Sequence, residues 1–105
     1  MKKPKTVKVG GHNYKVLWPY KFRERSDIQG QCDSGLMEIR VDNDDGNSNE
    51  RAESCQMVTF IHELLHAIDI ASGHKVFINN EPAIEGISEG IYQVLVDNGW
   101  LPKDN

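Results

Sequence analysis

The segment that most constrains this chain is MVTFIHELLHAIDIA, residues 57–71, which is apolar on nearly every side once wound into a helix. It lies inside a longer stretch, from about Asn49 to Ser72. There Ala52, Cys55, Val58 or Thr59, Ile61 or His62, Leu65 and Ile68 recur at helical spacing, and Gly73 follows as a terminator. Ser48 or Asn49 is the expected N-cap, with Glu50 and Glu53 in or near the first turn. A helix this apolar cannot lie on a surface. In 105 residues it must run through the middle, covered by a sheet on one flank and a second helix on another.

The rest of the chain supplies those covers. Thr6–Val9 alternates, Gly10-Gly11 turns, and His12, Tyr14 and Val16 alternate against Asn13 and Lys15 as far as Trp18, a hairpin signal. Tyr20 to Ser26 is a short extended piece or one helical turn. Ile28–Asp33 and Leu36–Val41 read as a second strand pair around Ser34-Gly35. The second helix begins near Pro82 and runs to about Asp97, with Ile84, Ile87, Ile91, Val94 and Leu95 as its apolar stripe. Asn98-Gly99 ends it, and Trp100 is expected to fold back on the core. The fold class is therefore α+β: a sheet of three to four strands packed on two helices, about 49–72 and about 82–97, in one domain spanning 1–105.

Composition excludes several functions. With 38% hydrophobic residues there is one modest core and no room for a dedicated cofactor domain. A net charge of -4 and no basic stripe beyond the first eight residues argue against nucleic acid. No run reaches the length of a membrane span, and no apolar core follows the basic start, so neither membrane nor secretion is expected and the cytoplasm is the default. Cys32 and Cys55 read as two small buried thiols, reduced in such a compartment. The loop DNDDGNSNE, residues 42–50, resembles a calcium loop in composition only, since Gly46 falls at the fifth place and the closing glutamate is missing.

Within the first helix stands His62-Glu63-Leu64-Leu65-His66. Histidines four apart lie on one helical face, so both imidazoles reach one Zn²⁺. Glu63 is placed beside that metal, where it takes a proton from a metal-activated water. Without a metal, two imidazoles and a carboxylate would be partly desolvated among leucines and isoleucines at a cost in stability. A catalytic zinc needs a third protein ligand, and Asp69, His74, Glu81, Glu85 and Glu89 are the candidates. Asp69 is better placed to contact a ligand histidine than to ligate. His74 follows the helix end and is more naturally exposed or close to substrate. Glu81 and Glu85 lie one turn apart at the start of the second helix. One of them ligates while the other accepts the outer N–H of a ligand histidine.

His62–His66 followed by Glu81-x-x-Ile84-Glu85-x-Ile87-Ser88-x-x-Ile91-Tyr92 resembles the gluzincins, above all their smallest members and the ImmA/IrrE-like metallopeptidases. TFIHELLHAID with EGIYQVLVDN is similar to small HExxH metallopeptidases of bacteriophages and prophages. The resemblance, over about residues 5–99, implies a zincin-like domain with Glu81 as third zinc ligand and Glu85 supporting a histidine. Pro82 sets Glu81 at the helix start and keeps Glu85 as the alternative ligand. It also implies a peptide or protein substrate bound in extended form along an edge strand, for which Leu36–Val41 is the natural choice. Larger gluzincins bring an oxyanion donor from a further lobe; here Tyr92, Tyr20 and His74 are the candidates. The expected function is zinc-dependent peptide hydrolysis with Glu63 as general base. The alternatives are a non-proteolytic zinc-binding interaction module, or a zinc amidohydrolase acting on a non-peptide amide.

Overall fold

A computed structural model describes residues 3–23, 27–47 and 49–101. Four strands, β1 (Thr6–Val9), β2 (His12–Leu17), β3 (Gly30–Asp33) and β4 (Glu38–Val41), precede two helices, α1 (Glu53–Ser72) and α2 (Glu81–Asp97). The α+β expectation holds: one four-stranded sheet packs on α1, and α2 packs on α1 from another side.

Sequence alternation explains the sheet. In β2, Tyr14 and Val16 turn inward and Asn13 and Lys15 outward, and the Gly10-Gly11 turn that joins it to β1 has positive φ at both residues. The strand order is β1-β2-β4-β3, with β4 parallel to β2 and antiparallel to β3. Leu36–Val41 is thus not an edge. Its β4 part lies inside the sheet, where Ile39 and Val41 are fully buried toward α1, and Leu36 and Met37 form the exposed turn before it. The opposite face of β4 carries Arg40. Its guanidinium donates to Glu38, Gln31 and Asp33 and lies over the Tyr20 ring, so a charged side chain is buried with its donors satisfied. The edge beside α1 is β3.

Val9, Tyr14, Val16, Ile39 and Val41 from the sheet meet Met57, Phe60, Ile61 and Ala67 from α1 in the core. Trp18 stacks on Phe60 with ring centroids 5.3 Å apart and donates its indole N–H to Gln56 Oε1 at 2.8 Å. Gln56, itself buried, returns a bond to Arg51 O at 2.8 Å.

Several boundaries differ from the sequence reading. Helix α1 begins at Glu53 behind Ala52, four residues later than expected, without a side-chain cap. Asn49 lies three residues before the cap position, held in the 42–50 loop by main-chain bonds with Asp45 and by its Nδ2, which donates to Asp45. Ser48, the other N-cap candidate, lies outside the described residues, as do residues 24–26 of the Tyr20–Ser26 piece. Gly73 ends α1 in the left-handed region at φ 77°, as its position suggests. In α2 the packed face is Ile84 and Ser88, both fully buried, with Ile91 and Leu95 half-buried; Ile87 and Val94 are exposed. Trp100 does not fold back, being 68% exposed. The turn at Asn98-Gly99 carries the Trp100 and Leu101 amides onto Leu95 O, and this rotation packs Leu101 on the core instead. No described helix is long and apolar enough to cross a membrane.

Ile84 seats α2 on α1 with no exposed surface. Ile84→Ala is expected to destabilise the protein by about 2–5 kcal/mol, read by urea unfolding as a lower midpoint.

Candidate active site

The site forms where the middle of α1, the start of α2 and strand β3 converge. His62 and His66, one turn apart on α1, face α2 with their rings edge-to-face at 5.0 Å. Glu81, the first residue of α2, spans them: Oε2 lies 2.9 Å from His62 Nε2 and Oε1 lies 3.0 Å from His66 Nε2. The histidines are half-buried and the Glu81 side chain is 57% exposed, so the three donors meet at an open surface.

These residues fit a zinc ion. Two imidazole nitrogens and a carboxylate oxygen are a common catalytic donor set, and their donor atoms all lie within 4.8 Å of one another. Metal–ligand bonds of ~2.0–2.1 Å in a tetrahedral site place donors ~3.3 Å apart, so the 2.9–3.0 Å separations from Glu81 need to open by only a few tenths of an ångström. Among the described residues no further His, Cys, Asp or Glu joins the group. A fourth position is therefore left for water or substrate.

The charged groups around the triad are tuned in opposite directions. Burial holds His62 below its ordinary pKa, His66 adds to this, and Glu81 and Glu85 oppose it. A neutral imidazole is the form that ligates metal. Glu63 points from α1 toward β3 and is 8% exposed. In the metal-free protein burial pushes its carboxyl up to about 7, the Glu81 charge pushes further, and a hydrogen bond donated by the Cys32 main-chain N–H works against both. The Cys32 thiol is pushed up to about 11, by burial first and then by Glu63 and Asp33, so it stays protonated. A groove of about 900 Å³ runs past Glu63 between β3, α1 and α2, with Gly30, Thr59, His62, Glu81 and Glu85 among its walls.

The other candidates are placed differently. Glu85 is exposed on the groove wall; its charge raises the pKa of His62, but it holds neither histidine, which Glu81 alone bridges. Glu89 lines the far end of the groove. Asp69 does not contact a histidine. One turn beyond His66 it turns away from α2, and its buried carboxylate accepts the Val76 and Phe77 amides at 2.8 and 3.0 Å. That clamp holds the connection between the helices and so sets where α2, with Glu81 at its head, begins. His74 is exposed in the same connection, outside the triad. Tyr92 packs against the core and Tyr20 against Phe22 and Arg40, none of them on the groove wall described above. Both thiols are free, and Cys55 is exposed on the groove rather than buried, because it lies on the α1 face that the sheet leaves open.

Sequence reasoning missed two participants. Gly30 and the Cys32 main chain press on Glu63 from β3, and the available signal was a glycine inside a strand, which marks a close approach of backbone. It also missed the Asp69 clamp, since an acidic residue one turn past a histidine looks the same in either role.

Two outcomes follow from this geometry. Asp69→Ala leaves two loop amides without their charged acceptor and is expected to cost about 2–3 kcal/mol in thermal or urea unfolding, together with weaker zinc binding by calorimetry. Glu63, ordinarily near 4.5 and raised to about 7 in the folded metal-free protein, binds more protons folded than unfolded between those values. Its contribution is complete below pH 4.5 and is lost as pH rises through 7, roughly 3 kcal/mol in all. Urea titrations of the metal-free protein across that range should show the decline, and Glu63→Gln should flatten it.

Compared with models of protein families, with curated proteins and with solved structures, the chain matches none. The chain's own residues establish a zincin-like arrangement: a metal-binding triad of His62 and His66, at HExxH spacing on the central helix of an α+β fold, with Glu81 from the head of α2.

Proposed function

We propose that this protein hydrolyses peptide bonds as a zinc-dependent metallopeptidase, with Glu63 as general base. The observation that carries the reading is the three-donor metal triad with an open fourth position and the buried Glu63 carboxyl beside it. His62, His66 and Glu81 would hold a zinc ion, which would supply the Lewis acidity to acidify a water and polarise the scissile carbonyl. The Glu63 carboxylate accepts the proton of the attacking water and returns it to the leaving nitrogen. Burial of Glu63 against β3 shields the transfer from bulk water. His62 and His66 would bind the metal through their Nε2 atoms, and the Asp69 clamp keeps Glu81 opposite them.

The substrate we infer is a peptide or protein segment in extended form, laid along β3. The support is that β3 is the sheet edge beside the groove, where an added strand would run past Glu63. The narrower kinship, with ImmA/IrrE-like metallopeptidases of phages and prophages, rests on the motif resemblance alone.

Metal analysis combined with a peptide-library cleavage assay tests the function. The wild type and Glu63→Gln should each retain about one zinc, with turnover in the variant lower by roughly 10²–10⁴. Glu81→Ala should weaken zinc binding on the order of a hundredfold or more, whereas Glu85→Ala should cost less than about tenfold. One equivalent of zinc in the wild type, with no cleavage of any library member, would instead favour a zinc-binding interaction module.

A further inference from the structure

We propose that Gly30 is a positioning residue for the general base. By carrying no side chain it lets edge strand β3 seat directly on α1, so that the Cys32 main-chain N–H reaches and holds the Glu63 carboxylate. The inference rests on reading Glu63 as that base, and it extends the reading to the strand that sets the base in place.

Main-chain hydrogen bonding in an antiparallel pair alternates along each strand. The Asp42 N–H donates to Gln29 O at 2.9 Å, and Gly30 and Cys32 stand opposite Val41 and Ile39. Gln29, Gln31 and Asp33 therefore exchange bonds with β4, while Gly30 and Cys32 turn their N–H and C=O groups outward. Such groups on an edge are ordinarily left to water or to another chain. Here the Glu63 carboxylate stands against this edge at Gly30, within reach of the outward Cys32 N–H.

The bond requires the strand to lie unusually close to the helix. A Cβ built on Gly30 would stand 2.5 Å from Thr59 Cγ2, 2.9 Å from Glu63 Oε2 and 3.1 Å from Glu63 Cγ. Thr59 cannot turn aside cheaply. Its hydroxyl donates to Cys55 O at 3.0 Å and accepts from Arg51 Nη2 at 2.6 Å, and Arg51 is itself tied to Asp42 O at 2.7 Å. Any side chain at position 30 must then displace either the Glu63 carboxylate or the strand. Gly30 has no left-handed φ, so its backbone conformation is open to any residue. The glycine is needed for space and not for its torsions, and the atoms it makes room for are those of the base.

Amide NMR of the zinc-free protein, with turnover and zinc affinity of the loaded protein, tests the assignment. At alkaline pH, with Glu63 ionised, Glu63→Gln should move the Cys32 amide proton upfield, because a charged acceptor becomes a neutral one. Gly30→Ala should move the same resonance in the same direction, keep zinc affinity, and lower kcat roughly ten- to a hundredfold. Gly30→Ala combined with Thr59→Ser removes the Cγ2 contact while keeping the hydroxyl, and should recover part of both effects. A Cys32 amide indifferent to Glu63→Gln would overturn the proposal, as would a Gly30→Ala protein with unchanged Cys32 amide and unchanged turnover. Should Gly30→Ala not fold, the double variant carries the comparison, and the Glu63→Gln measurement needs no change at Gly30. A wild type that cleaves no peptide would remove the hydrolase reading, while the Cys32 response would still decide whether β3 holds Glu63.

Discussion

Helix α1 has to be covered on three sides, and the rest of the structure answers to that requirement. Its first face, with Met57, Phe60, Ile61 and Ala67, is buried by the sheet. A second face carries His62 and His66 toward α2, whose Ile84 and Ser88 close the contact without exposed surface. The third, with Thr59 and Glu63, is met by β3, the edge strand. Burial of apolar area drives the first two contacts. The third is different, because it brings a carboxylate under a strand, and a carboxylate is desolvated there only at a cost in its charged form. That cost is what raises Glu63 toward neutrality, so the packing that stabilises the fold also prepares the base.

The metal triad depends on a second, polar constraint. Glu81 belongs to another helix from the histidines, and the connection between the helices is short, residues 73–80. Asp69 fixes its path by accepting two consecutive amides. The same helix therefore supplies two ligands directly and, through one buried carboxylate, the placement of the third. Pro82, which initiates α2, leaves Glu81 at the helix head, exposed and able to bridge both imidazoles. Glu85, one turn further on, is carried past the histidines by the helix rise and acts on His62 only through its charge.

Local pattern explains why some of this could be read beforehand. Alternation in Tyr14 and Val16, the 3.6-residue recurrence in 57–71 and the i, i+4 histidines are properties of short windows, and they gave the hairpin, the central helix and two ligands. Strand order is not a window property. Leu36–Val41 is as plausible an edge as Gly30–Asp33 until β2 pairs with β4 in parallel and takes the interior place. The N-cap at Asn49 failed because contacts with Asp45 keep Asn49 in the loop and the helix begins four residues later. Trp100 was the larger apolar residue, yet the rotation of the final turn put Leu101 on the core.

The chemistry was already written in the order of residues: two imidazoles one turn apart, a glutamate between them, and acidic residues at the head of a second helix. The imidazoles and the glutamate between them are set by spacing along one helix, where 3.6 residues per turn leaves little freedom. The tertiary structure decided which carboxylate does what. Glu81 rather than Glu85 meets the histidines, Asp69 serves the loop and not the ligands, and Glu63 is buried under β3 at Gly30. Those assignments depend on where separate elements come to rest against one another, and a carboxylate takes its role from its solvation and its neighbours, which only packing supplies.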